Sequence, residues 1–162
     1  MGKSFSPNYI GAIMTETNQD QKTVAIQTIY AKDVSFEAPN SPGVFMEENI
    51  RPETKINLSK THNKIGESSY DVSLTIKAEA SYGEKTMFIA EVEQSGVFVM
   101  NGYDDEEIKD LIAVYCPSTL FPYAREMLSS VVAKGGFPAL NLQPISFEAL
   151  YTQAKEEQQT QN

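Results

Sequence analysis

The run Tyr70–Ser81 constrains the fold more than any other stretch of the chain. Tyr70, Val72, Leu74, Ile76, Ala78 and Ala80 alternate without a break with Asp71, Ser73, Thr75, Lys77, Glu79 and Ser81. A helix would scatter these apolar residues around its axis, whereas a strand switches faces at each residue and collects them on one side. The segment reads as a strand with one core face and one solvated face, the habit of an antiparallel sheet. Tyr82-Gly83-Glu84-Lys85 follows as a hairpin turn, and Thr86 to Met100 returns as the partner strand with Phe88, Ala90 and Val92 inward. Within it, Gly96 marks either a bulge or a close backbone approach.

Two further strands precede this pair. Val24 to Glu37 is rich in β-branched and aromatic residues, and Glu53 to Ser59 places Ile56 and Leu58 on one face. Pro39, Pro42-Gly43 and Pro52 bound a loop that carries Val44, Phe45 and Met46, apolar residues that need cover. Lys60-Thr61-His62-Asn63-Lys64 reads as a polar loop. Beyond Gly102 the period becomes helical. Asp104 or Asp105 caps a short helix with Ile108, Leu111, Ile112 and Tyr115 as its stripe. Pro117 suits the first turn of a longer helix, which Gly135-Gly136 stops after Lys134, and Pro122 kinks it or lies near its start. Phe137 to Pro144 is a loop, and Ser146 caps a last helix with Phe147, Leu150 and Tyr151 on one face. Strands followed by helices predict an α+β fold, a four-stranded antiparallel sheet with helices packed on one face.

The chain is poor in chemistry. Its 162 residues suit one domain, and a net charge of −9 disfavours nucleic acid while favouring basic partners. Cys116 is the sole cysteine, so no internal disulfide forms and a reducing compartment fits. No apolar run approaches the ~20 residues of a membrane span, so direct membrane insertion is not expected. His62 is the only histidine. Paired with Cys116 it is the one candidate for a nucleophile and base, but neither lies in a recognisable motif. There is no metal-ligand spacing and no phosphate-cradling glycine loop. The expectation is no catalytic residue, no metal and no cofactor.

Binding is better represented. By the two-residue period, Asp33, Ser35 and Glu37 share a face of the first strand, as do Ile89, Glu91 and Glu93 on the fourth. If those strands are neighbours, carboxylates concentrate around an apolar Ile89; the plain alternative is an ordinary solvated sheet face. A second concentration is apolar: the loop residues Val44, Phe45 and Met46, then Phe137, Leu140 and Leu142, then Phe147, Leu150 and Tyr151. Either these parts cover one another as a small satellite core, or they leave a groove between them.

Four segments carry a family resemblance: Asp33-Val34-Ser35-Phe36-Glu37-Ala38-Pro39-Asn40, Leu120-Phe121-Pro122-Tyr123-Ala124-Arg125-Glu126, Gly135-Gly136-Phe137-Pro138-Ala139-Leu140-Asn141-Leu142 and Pro144-Ile145-Ser146-Phe147-Glu148-Ala149-Leu150. In this order, over Ile26 to Tyr151, the chain resembles the SecB family of protein-export chaperones. The resemblance implies a cytoplasmic, ATP-independent holdase that keeps unfolded secretory preproteins translocation-competent and delivers them to the SecA motor. It implies that Asp33, Glu37, Ile89 and Glu91 hold the basic, zinc-bearing C-terminal tail of SecA. It also implies a client groove, drawn here from Phe36, Val44, Phe45, Met46, Ile56, Leu58, Phe137, Leu140, Leu142, Phe147, Leu150 and Tyr151. The family's working form is a homotetramer, a dimer of dimers. Domain boundaries follow: a disordered polar arm at 1–23 (with Met14 as an alternative start), a SecB-like chaperone domain at 24–151, and a polar C-terminal tail at 152–162. Departures from the family include the absence of Trp before Pro52 and an altered run, Asp110-Leu111-Ile112-Ala113-Val114, before the helical proline. SecB-like relatives also serve as chaperones of antitoxins in toxin–antitoxin systems, the alternative role.

Overall fold

The computed structural model describes residues 21–160; the first twenty residues of the polar arm, and residues 161 and 162, lie outside the described residues. Strands β1 (Thr23–Glu37), β2 (Glu53–Lys64), β3 (Ser69–Tyr82) and β4 (Lys85–Asn101) form one antiparallel sheet in the order β1-β4-β3-β2. The β3–β4 hairpin closes on Gly83-Glu84, with Tyr82 opposite Lys85. Gly83 has φ +57°, the left-handed conformation that a tight two-residue hairpin needs at its first central position. As the alternation requires, Val72, Leu74, Ile76, Ala78 and Ala80 are buried on one face, together with Phe88, Ala90, Val92 and Phe98 of β4.

The helices cover that face. Helix α1 (Asp105–Asp110) is opened by Asp104, whose carboxylate accepts from the Glu107 N–H while the Glu107 side chain accepts from the Asp104 N–H. Helix α2 (Cys116–Lys134) lays Leu120, Ala124, Leu128 and Val132, every fourth residue, over β3 and β4, and all are fully buried. Gly96 admits this helix: a Cβ there would stand 3.1 Å from the Leu120 side chain and 2.9 Å from the Phe98 ring. Close approach, rather than a bulge, is the reason for this glycine. Helix α3 (Phe147–Thr160) is anchored by buried Phe147, which meets Phe121 edge-on at 6.0 Å.

Three sequence expectations need correction. The segment Lys60–Lys64 is not a loop but the second half of β2, paired residue for residue with Tyr70–Leu74. Its side chains are exposed on both sides, so no two-residue period marks it. The two expected helices are continuous through a π-helical turn, Leu111–Tyr115. Pro117 has no N–H for the Ala113 carbonyl four residues earlier, and the Lys60 ammonium donates to that carbonyl instead, at 3.1 Å. Finally, the C-terminal segment continues α3 as far as Thr160, and at the other end Thr23 already belongs to β1.

Candidate functional site

The sheet offers two candidate surfaces that share the same strand ends. On the outer face, away from the helices, the β1–β4 register sets Asp33 opposite Glu93, Ser35 opposite Glu91 and Glu37 opposite Ile89. The four residues expected at a motor-docking surface, Asp33, Glu37, Ile89 and Glu91, are therefore brought together on neighbouring strands. Asp33 and Glu37 are exposed, and Ile89 and Glu91 are half-buried. Glu37 of β1, Glu79 of β3 and Glu91 stand around Ile89, and Asp33 and Glu93 pair four positions further along the same face. Lys77 stands opposite Glu91 on β3.

On the inner face the intervening residues, Phe36 and Phe88, build an aromatic cluster. Phe36 stacks on Phe88 with centroids 6.0 Å apart, and Phe137 lies 6.4 Å from Phe36, 5.1 Å from Phe88 and 5.2 Å from Phe45. The helix terminus places Phe137. After Lys134, the Gly136 N–H bonds the Ala133 carbonyl and the Phe137 N–H bonds the Val132 carbonyl, with Gly136 at φ +87°. This turn folds Phe137 back under the sheet end. Gly135 gives the Phe36 ring its place: a Cβ on Gly135 would fall 2.1 Å from Cζ of Phe36. The loop residues Val44 to Met46 form a 3-10 turn, Gly43–Met46, that closes the cluster from the other side.

The expected groove residues divide by burial. Val44, Phe137 and Phe147 are buried and belong to the core, so they form a floor rather than an open contact surface. Phe36, Ile56, Leu58, Leu140 and Leu142 are half-buried against that core. Phe45 at 48% exposure, Met46 at 82% and Leu150 at 48% are the open apolar side chains. Between floor and rim, a cleft of about 200 Å³ is lined by Pro52, Thr54, Met87, Phe88, Phe137 and Leu140. The loop after Phe137 runs along β2, from Leu140 beside Thr54 to Phe147, over whose ring Lys60 Nζ lies at 5.9 Å. Leu150 and Tyr151 stand at that far end. The Lys155 ammonium donates to Asp110 at 3.1 Å and the Tyr151 hydroxyl donates to the same carboxylate at 2.9 Å, and together they hold the Asp110 carboxyl below the usual carboxylate range. Phe88, Met87 and Gly135 were not among the expected groove residues. The only signal for Gly135 was the Gly135-Gly136 pair, which reads equally well as a simple helix stop.

The nucleophile pairing does not hold. Cys116 is fully buried, and burial pushes its thiol up to about 12, so no thiolate is available near neutrality. His62 is exposed on β2 opposite Val72. Among the described residues no group of His, Cys, Asp and Glu side chains is arranged to hold a metal ion, and no helix is long and apolar enough to cross a membrane.

Comparison with known proteins finds relatives over most of the chain. Residues 17–158 match the family model of the preprotein translocase subunit SecB. The protein-export protein SecB of Marinobacter nauticus is 45% identical over 142 residues, covering 88% of this chain and 86% of the relative. That of Nitrosococcus oceani is 44% identical over 147 residues, covering 90% of each. Among solved structures, a SecB-like chaperone of Mycobacterium tuberculosis in complex with a peptide from the HigA1 antitoxin superposes with a TM-score of 0.63 at 16% identity, covering 75% of this chain and 90% of that one. At that identity the likeness concerns the fold.

Proposed function

The chain belongs to the SecB family of preprotein translocase subunits, and on that premise we propose that it is an export holdase with two binding faces on one sheet. It binds unfolded secretory precursors without ATP, keeps them competent for translocation and delivers them to the SecA motor. Holding works by mass action, because a partner that binds only the unfolded state withdraws it from folding and aggregation. Folded proteins are ignored, since they bury the apolar segments that the cleft and its rim receive. Phe45, Met46 and Leu150 are the adaptable, exposed contacts, and the buried aromatics give them a rigid base.

The motor docks on the outer face, through Asp33, Glu37, Ile89 and Glu91. The observation that carries this assignment is the register: strands from opposite ends of the sheet sequence meet with Glu37 beside Ile89 and Ser35 beside Glu91. Carboxylates facing solvent around an apolar centre suit a basic tail, raising encounter rate and specificity more than raw affinity. The working form is a homotetramer, a dimer of dimers. Its support here is the apolar surface left uncovered, with Ile26 at 42%, Val34 at 39% and Tyr123 at 52% exposure. The protein acts in the cytoplasm, where precursors await export, and performs no catalysis. The antitoxin role has weaker support: the relatives sharing 45% and 44% identity are export proteins, whereas the antitoxin-binding structure shares 16%. Affinity purification from lysate, read for SecA and unprocessed precursors together, tests the export role. Recovery of an antitoxin without either would overturn it.

A further inference from the structure

The carboxylates of the outer face do not stand in equal surroundings. Strand β1 carries a bulge between Ala31 and Asp33, and Lys32 is its extra residue. A bulge interrupts the alternation of side chains and re-aims the residue it adds. Lys32 consequently reaches the same face as Asp33. Its Nζ lies 3.4 Å from Asp71 Oδ2 and 4.0 Å from Glu93 Oε1. Asp71 is a firm mooring, since its side chain is only 14% exposed and its other oxygen, Oδ1, accepts from the Tyr30 hydroxyl at 2.9 Å. The charge of Asp71, and then the hydrogen bond to it, raise the Lys32 pKa, so the ammonium stays charged. A fixed cation thus stands at the Asp33–Glu93 end of the docking surface. Lys77 stands opposite Glu91 on β3 but forms no ion pair with it: among the described ion pairs, none engages Asp33, Glu37 or Glu91.

We propose that Lys32 is a built-in competitor for the basic partner. It occupies Glu93 and so withholds that carboxylate from an incoming cation, which restricts strong docking to the end formed by Glu37, Ile89 and Glu91. The result is a deliberately incomplete match, which favours departure of the motor after delivery. This inference rests on the docking assignment above and deepens it.

The test is a titration of purified SecA against the full-length protein at low and then rising ionic strength. Lys32→Met and Lys32→Gln are compared with the wild type, Lys32→Arg and the double variant Lys32→Met/Glu93→Gln. Gln retains a donor for Asp71, which guards against a general loss of fold. Removing the charge is expected to tighten binding about two- to five-fold at low salt, the scale of one exposed ion pair, with the gain fading as salt screens it. Arg should keep the wild-type affinity, and the double variant should lose the gain. Unchanged or weaker binding by Lys32→Met and Lys32→Gln, with melting temperatures intact, overturns the inference, as does a gain that persists without Glu93. Glu91→Gln separates the two levels. If it weakens SecA binding while the Lys32 variants do not tighten it, only the competitor role fails; if it has no effect, the docking assignment fails and the competitor role with it.

Discussion

The outer and inner faces of the β1–β4 ladder are made from the same few residues by opposite means. Asp33, Ser35 and Glu37 alternate with Val34 and Phe36, and Ile89 and Glu91 alternate with Phe88 and Ala90. The outer face needs only the sheet: two strands in register put its charges side by side, and solvent does the rest. The inner face needs the whole fold: Phe36 and Phe88 stack on each other within the sheet, but Phe137 and Phe45 complete the cluster only when the end of α2, the turn after it and the 3-10 turn arrive. Charge on a solvated face is easily changed without disturbing the fold, whereas aromatic packing resists any change.

That contrast is open to direct attack. Phe137→Ala is expected to have the largest effect. It removes the ring that contacts Phe36, Phe45 and Phe88 and should destabilise the chain by about 3–5 kcal/mol. Urea denaturation would measure the loss, and suppression of aggregation of an unfolded client should fall with it. A variant that loses neither would show that the inner cluster is not a structural unit. Next in size, Glu91→Lys should weaken SecA binding by about 1–2 kcal/mol, as expected for a charge reversal at a partly buried polar contact, while stability stays within roughly 0.5 kcal/mol. Calorimetric titration with SecA, beside a client-holding assay, decides it; equal losses in both would mean that the faces are not separable. The smallest change expected is Met46→Ser, because Met46 is 82% exposed. Its stability should be unaltered within about 0.5 kcal/mol, and client affinity should fall by less than about tenfold, the loss of one exposed apolar contact. Client titration followed by fluorescence would show whether the rim contributes at all.

The same contrast explains what was legible in the sequence. Tyr70 to Ala80 announces its strand because one side is core and the other polar, and Asp33, Glu37, Ile89 and Glu91 fall on one face by counting in twos. Counting fails where neither side is buried, as in Lys60–Lys64. It fails again at the bulged Lys32, since an extra residue silently changes the parity of what precedes it. The inner site was legible in composition but not in arrangement. Nothing near Gly135 in sequence reveals that the Phe36 ring will lie against it, and nothing in Phe147 says whether it lines a groove or fills the core. The π turn at Leu111–Tyr115 was hidden for a related reason: Pro117 signals a helix start equally well when the helix merely widens to pass it.

The two outermost strands of the sheet differ in a way that governs how many copies can join. Strand β1 presents exposed Ile26 and Val34 beside its unpaired edge. Strand β2 follows Pro52 and carries charge at both ends and at its middle, through Glu53, Lys55, Lys60 and Lys64. Lysines and prolines make an edge a poor template for another strand. On this composition β1 is the edge better suited to a second copy, and a contact of β1 with β1 would be self-complementary, so strand addition would close at a pair and leave any larger assembly to another surface. Had both edges been apolar, head-to-tail addition would have had no stopping point, and a protein that spends its life beside extended, unfolded chains would have been a seed for fibres.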